Sequence, residues 1–122
     1  MSWSFTNNKA IYLQIIEQLI NKIVTSEYPL GTKLPTVREL AADMKVNPNT
    51  LQRAFSELEM LNIIYSKTTV GRFVTEDVAI LDNLRKDLAN KSIDEFFTKM
   101  QQLGFSDEQI FEILKERREK ND

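Results

Sequence analysis

The sequence predicts a mostly α-helical fold with one small β-hairpin, divided into a region over residues 1–76 and a second, helical region over 77–122. Three observations predict it. Apolar residues recur at three- and four-residue spacing over most of the chain, the period of a helix with one buried face. That period gives way at Ile63-Ile64-Tyr65-Ser66 and Arg72-Phe73-Val74-Thr75, two β-rich runs of the kind that pair as a hairpin. Glycine and proline, three of each, stand almost entirely between these segments, where a chain is expected to turn.

The elements follow in order. Residues 10–26 read as a first helix, with Tyr12, Ile15, Ile16, Leu19, Ile20 and Ile23 on a broad apolar face. Tyr28-Pro29-Leu30-Gly31 is the turn that ends it. Thr32-Lys33-Leu34 is expected to be extended, because Pro35 pushes Leu34 out of the α region. Thr36 with Glu39 is a capping box, the hydroxyl accepting from the Glu39 amide and the carboxylate accepting from the Thr36 amide. It opens a second helix through Met44 that buries Val37, Leu40 and Ala41. Asn47 then Pro48 is another start, a side-chain acceptor at the N-cap and a fixed φ at the first helical position. The third helix runs to about Leu61. It buries Leu51, Ala54, Phe55, Leu58 and Leu61 and turns Asn49, Gln52, Arg53 and Ser56 outward. The two β-rich runs then flank a five-residue loop, 67–71.

In the second region Leu81, Leu84, Leu88, Phe96, Phe97, Met100 and Leu103 keep an apolar stripe over residues 78–103. Ser92 with Glu95 reads as a capping box, so a bend is expected near residues 90–92. Gly104 is placed to end the helix. Ser106 with Gln109 caps a last helix, and Phe105 and Ile110 occupy the two positions of a hydrophobic staple. That helix ends in a charged run over 115–122, expected to fray.

Composition removes whole classes of function. There is no cysteine, hence no disulfide framework or thiol chemistry, and no histidine, the commonest general base and a usual transition-metal ligand. No carboxylate pair stands out either, so an enzyme is not expected, nor a metal or other cofactor. No stretch of about 18 apolar residues is present, and the N-terminus lacks the basic-then-apolar pattern of a signal peptide. A cytoplasmic location fits. The net charge of −2 is unusual for a chain that binds nucleic acid, but it is unevenly spread. Residues 1–76 hold eight Lys and Arg against seven acids, and residues 77–122 hold eight against eleven.

Met44, Lys45 and Val46 separate two helix starts by the spacing of a helix-turn-helix, a DNA-reading unit. Three helices closed by a hairpin make a winged helix-turn-helix. The helices that follow bury too little as a pair to be stable alone, so their stripe is expected to be a dimerisation tail, through Leu81, Leu84, Leu88, Phe96, Phe97, Met100, Ile110 and Leu114. A small effector cavity within that interface is the other use such a stripe can have.

The blocks LPTVRELA, VNPNTLQRAFSELE and GRFVTED resemble the winged-helix domain of the GntR family of bacterial repressors. The VNPNT turn, the opening IYLQIIEQL and the short two-helix tail are similar to its YtrA subfamily. The resemblance implies a homodimer on an inverted-repeat operator, with the third helix in the major groove and the wing near the minor groove. It also implies an association with neighbouring ABC-transporter genes. Within this frame Arg38 matches a family arginine that contacts DNA, and Asn47, Asn49 and Thr50 stand at the subfamily's helix start. The usual basic residue and first glycine of the wing are Thr68 and Thr69 here, which leaves Lys67 or Arg72 to supply charge.

The residues themselves support these roles. Arg38 lies just inside a helix start between buried neighbours, placed for phosphate or base. The amides of Asn49 and Gln52 suit adenine. Thr50 suits a phosphate, and Asn47 is first a cap. Arg53 divides between DNA and a salt bridge with Glu57, one turn on. The expected function is thus a sequence-specific transcriptional regulator, a repressor by the resemblance, that binds double-stranded DNA. The alternative is a winged-helix module whose exposed helix face meets a partner protein.

Overall fold

The computed structural model describes residues 3–121; Met1, Ser2 and Asp122, the outer ends of the two regions, lie outside the described residues. In chain order the elements are α1 (Ile11–Val24), α2 (Val37–Met44), α3 (Pro48–Met60), β1 (Ile64–Lys67), β2 (Gly71–Val74), α4 (Val78–Gln102) and α5 (Asp107–Asn121). They fall into two compact units, one through Leu84 and one from Arg85. The first therefore reaches beyond the expected limit at Glu76.

In the first unit α1 and α2 pack on α3 around Ile15, Leu19, Ile23, Leu40, Leu51, Phe55 and Leu58. Each such side chain, fully withdrawn from water, contributes about 1.5–3 kcal/mol. The helix starts form as the sequence requires. The Glu39 amide donates to Thr36 Oγ1 at 3.1 Å, and the Thr36 amide donates to Glu39 Oε1 at 3.3 Å. Asn47 Oδ1 accepts from the Asn49 amide at 2.8 Å. Between these helices Lys45 takes the left-handed conformation, φ 59°, and turns the chain from α2 into α3.

The hairpin pairs Ile64 with Val74, Tyr65 with Phe73, Ser66 with Arg72 and Lys67 with Gly71. The loop is therefore three residues, 68–70, and not the expected five, because Lys67 and Gly71 close the ladder. The extended segment before α2 joins on the other side of β2. The Leu34 amide donates to Arg72 O at 2.8 Å, and the Val74 amide to Thr32 O at 2.9 Å. Leu61 corrects another expectation. It is 57% exposed, because α3 ends at Met60 and Asn62, at φ 61°, redirects the chain so that Ile63 enters the core instead.

The segment before α1 has no helical or strand period, yet it is held. Trp3 and Phe5 pack against the core, and buried Gln14 binds the passing backbone three times. Its Nε2 donates to Thr6 O and Lys9 O, each at 2.8 Å, and its Oε1 accepts from the Thr6 amide at 2.9 Å.

α4 is one uninterrupted helix, so no new helix start forms near residues 90–92, where a bend was expected. Ser92 and Glu95 tolerate the helix interior, and no glycine or proline interrupts the run. Its N-terminus is capped by Asp77, whose Oδ1 accepts from the Ala79 amide at 2.9 Å. Leu81 is buried in the core of the first unit, and Leu84 packs against it.

In the second unit the end of α4 is a Schellman turn. The Phe105 amide reaches Met100 O at 3.2 Å and the Gly104 amide reaches Gln101 O at 3.0 Å, with Gly104 at φ 95°. The Ser106–Gln109 capping box forms, with bonds of 2.9 and 3.2 Å. Ile110 is fully buried, and Phe97 meets both Phe96 and Phe111 ring to ring.

Candidate nucleic-acid interface

One surface of the first unit brings together three of the residues expected to meet DNA, Arg38, Gln52 and Arg72. A cleft of about 370 Å³ opens between the start of α2, the face of α3 and the root of the hairpin. Lys33, Thr36, Arg38, Gln52, Phe55 and Arg72 line it. Arg38 stands on the first turn of α2, exposed, and makes no ion pair among the described residues. Gln52 is exposed on the second turn of α3, and Asn49 is exposed on its first. Thr50 is half-buried beside them. Asn47 acts as the N-cap, so its carbonyl oxygen is occupied by the Asn49 amide.

Three of the expected contacts are placed differently. Arg53 does not pair with Glu57 among the described residues; its guanidinium lies 3.7 Å from the centre of the Tyr12 ring on α1. Arg72 is committed inward. Its Nε donates to Glu59 on α3, and its guanidinium lies 5.1 Å from the Phe55 ring. The ammonium of Lys67 sits 4.9 Å from the Phe73 ring, on the exposed face of the hairpin. Glu59 is a positioning residue the sequence left unassigned: it also accepts from Ser66 Oγ at 3.2 Å, so it ties both strands to α3. Its partners lie seven and thirteen residues away, outside α3 and beyond the three- and four-residue pairs of a helix surface.

Acids near the cleft are engaged. Glu39 is held by Thr36 and its pKa lies below the usual carboxylate range, chiefly because the Thr36 hydroxyl and amide donate to it, with the charge of Lys33 adding to the effect. Glu59 faces Arg72. The wing tip itself, Thr68-Thr69-Val70, is exposed and carries no charge, and Thr69 takes a left-handed φ of 68°.

The eight residues assigned to a dimer face separate into groups. Leu88, Phe96 and Leu114 are each more than a third exposed, and Phe97 and Met100 are half-buried. Leu81 and Ile110 are corrected. Both are buried within the chain, Leu81 because α4 begins against the core of the first unit and Ile110 because it is the inward position of the α5 staple. Leu84 is half-buried against the same core as Leu81.

A helix-turn-helix with an exposed reading face, a basic cleft beside it and a hairpin tied to α3 defines a winged helix-turn-helix regulator. Residues 11–74 match the family of bacterial regulatory proteins, gntR family, and the chain belongs to it. It is 40% identical over 115 residues to the HTH-type transcriptional regulator YhcF of Bacillus subtilis, covering 94% of this chain and 95% of that one. To the HTH-type transcriptional repressor YtrA of the same organism it is 31% identical over 107 residues, 87% and 82% of the two chains, which supports the YtrA subfamily. A GntR family transcriptional regulator from Listeria monocytogenes superposes with a TM-score of 0.83 at 40% identity, over 92% of this chain and 98% of that one. The protein is a DNA-binding transcriptional regulator and not an enzyme. No helix among the described residues is long and apolar enough to cross a membrane.

Proposed function

We propose that this chain represses transcription in the cytoplasm as a homodimer on an inverted-repeat operator. Each α3 enters the major groove, and the tails hold the two copies together. The observation that carries the reading is the meeting of Arg38 from α2 and Gln52 from α3 in one cleft, with Asn49 exposed one turn before Gln52. Arg38 holds backbone or base, Asn49 and Gln52 read base edges, Thr50 and the start of α3 meet a phosphate, and Lys67 adds charge on the wing. Repression is supported by the relative named a repressor. The dimer is supported by Leu88, Phe96, Phe111 and Leu114, large apolar side chains that the tail helices leave partly exposed. A groove of about 720 Å³ along Phe105, Glu108, Phe111 and Glu112 is open, as a face awaiting a second helix is, which supports another copy over a small effector as its occupant.

The test is a gel shift over a range of salt, with duplexes from the region upstream of this gene; an adjoining ABC-transporter operon is the first place to search. A steep linear fall of log affinity with log salt is the expected result. Arg38→Ala, folded by circular dichroism, should weaken binding by about 1–3 kcal/mol. Unchanged binding by that variant would remove Arg38 from the interface. A parent that fails to shift any duplex would favour a protein partner for the same helix face.

A further inference from the structure

The wing of this chain carries its charge in an unusual place. Its tip has no basic residue, Arg72 is neutralised by Glu59, and the Lys67 ammonium lies over Phe73. Behind the wing Lys33 is exposed, on the segment that pairs with β2 opposite Phe73. Its side chain runs across Gly71. A Cβ built on Gly71 would lie 2.9 Å from Lys33 Cε and 3.8 Å from Nζ, closer than the methylene permits without moving. Lys33 thus passes over Gly71, whose φ of 137° itself calls for glycine, and lines the cleft it shares with Arg38 and Gln52. Neither Lys33 nor Arg38 is in an ion pair among the described residues. Glu39 is hydrogen-bonded to Thr36 and feels the charge of Lys33 without forming an ion pair with it.

We propose that this cleft seats one backbone phosphate of bound duplex DNA, with Lys33 and Arg38 as its two cationic ligands. Lys33 thereby supplies from behind the wing the charge that the wing tip lacks. The inference rests on the DNA-binding reading and adds a residue to it. A phosphate contact has a signature of its own: it weakens all sequences alike and lowers the number of counterions released, whereas a base contact changes sequence preference.

The experiment compares parent, Lys33→Gln and Lys33→Arg on a random-sequence duplex and on the tightest upstream duplex, over a range of salt. Lys33→Gln should lose about tenfold on both, the size of one charge-assisted contact, and its salt slope should be shallower by about one. Lys33→Arg should restore both. A methylphosphonate scan of the upstream duplex should then find one position whose neutralisation weakens the parent more than it weakens Lys33→Gln, which keeps only Arg38 at that phosphate. Unchanged affinity and slope in Lys33→Gln, or a loss confined to one sequence, would overturn the phosphate site while leaving DNA binding in place. A parent without salt-dependent binding would overturn both.

Discussion

Thr69 is the residue whose conformation and chemistry disagree most. It is β-branched and sits at φ 68°, where a Cβ crowds the following carbonyl at a cost of about 1–2 kcal/mol. Glycine carries no such cost there. Thr69→Gly should stabilise the fold by about 1 kcal/mol, read as a higher urea midpoint with unchanged slope, and should leave DNA binding equal or tighter. A loss of affinity would show that the threonine itself touches DNA. That the wing usually has glycine at this position was legible from the family resemblance. The partners of its neighbours were not. Arg72 finds Glu59 and Arg53 finds Tyr12 because of how the hairpin and α1 lie on α3, and sequence spacing offers only local candidates such as Glu57.

Among elements, those announced by short-range signals formed where expected. The Thr36–Glu39 and Ser106–Gln109 boxes and the Asn47-Pro48 start are closed by bonds between near neighbours, so the sequence contains both halves of each. Ser92 with Glu95 has the same letters and no cap, since a capping box acts only where other forces have already ended the helix. The α2 box also has a pH signature. The pKa of Glu39 is lowered in the folded chain, so its contribution to stability is present above the ordinary glutamate range and is lost as pH falls through the folded value. Glu39→Gln keeps an acceptor for the Thr36 amide but has no proton to gain. Between about pH 5 and pH 3 its urea midpoint should fall less than that of the parent. Parallel falls would place the acid sensitivity elsewhere. The docked segment at residues 3–9 was invisible to the same approach, because its order comes from Gln14, a polar residue within an apolar helix face.

At the scale of the whole molecule, the proposal that the tail joins two copies has a direct test. Phe96 and Leu114 are each more than a third exposed in the single chain, whereas Ile110 is the fully buried residue of the second unit and is left unchanged. Phe96→Asp with Leu114→Asp should sediment as a monomer with its helix content preserved, since each large apolar side chain buried between copies contributes about 1.5–3 kcal/mol. Affinity for a two-half-site duplex should fall by about 10²–10⁴-fold, the gain that linkage of two readers provides. A variant still dimeric would place the interface elsewhere. The apolar stripe of the tail was legible in the sequence, but not the side of it that faces inward. Leu81 and Ile110 share its period with Leu88 and Leu114, and only the packing separates them.

The tie between the wing and α3 has a thermodynamic consequence. Glu59 holds Arg72 and Ser66, and the Arg72 guanidinium rests over Phe55, so hairpin and reading helix are preorganised as one body before DNA arrives. Freezing a free loop on a partner costs about 0.5–1.5 kcal/mol for each mobile side chain. Here that conformational entropy is already lost on folding, so in the proposed complex the enthalpy of association should report contacts made and water released rather than a segment becoming ordered.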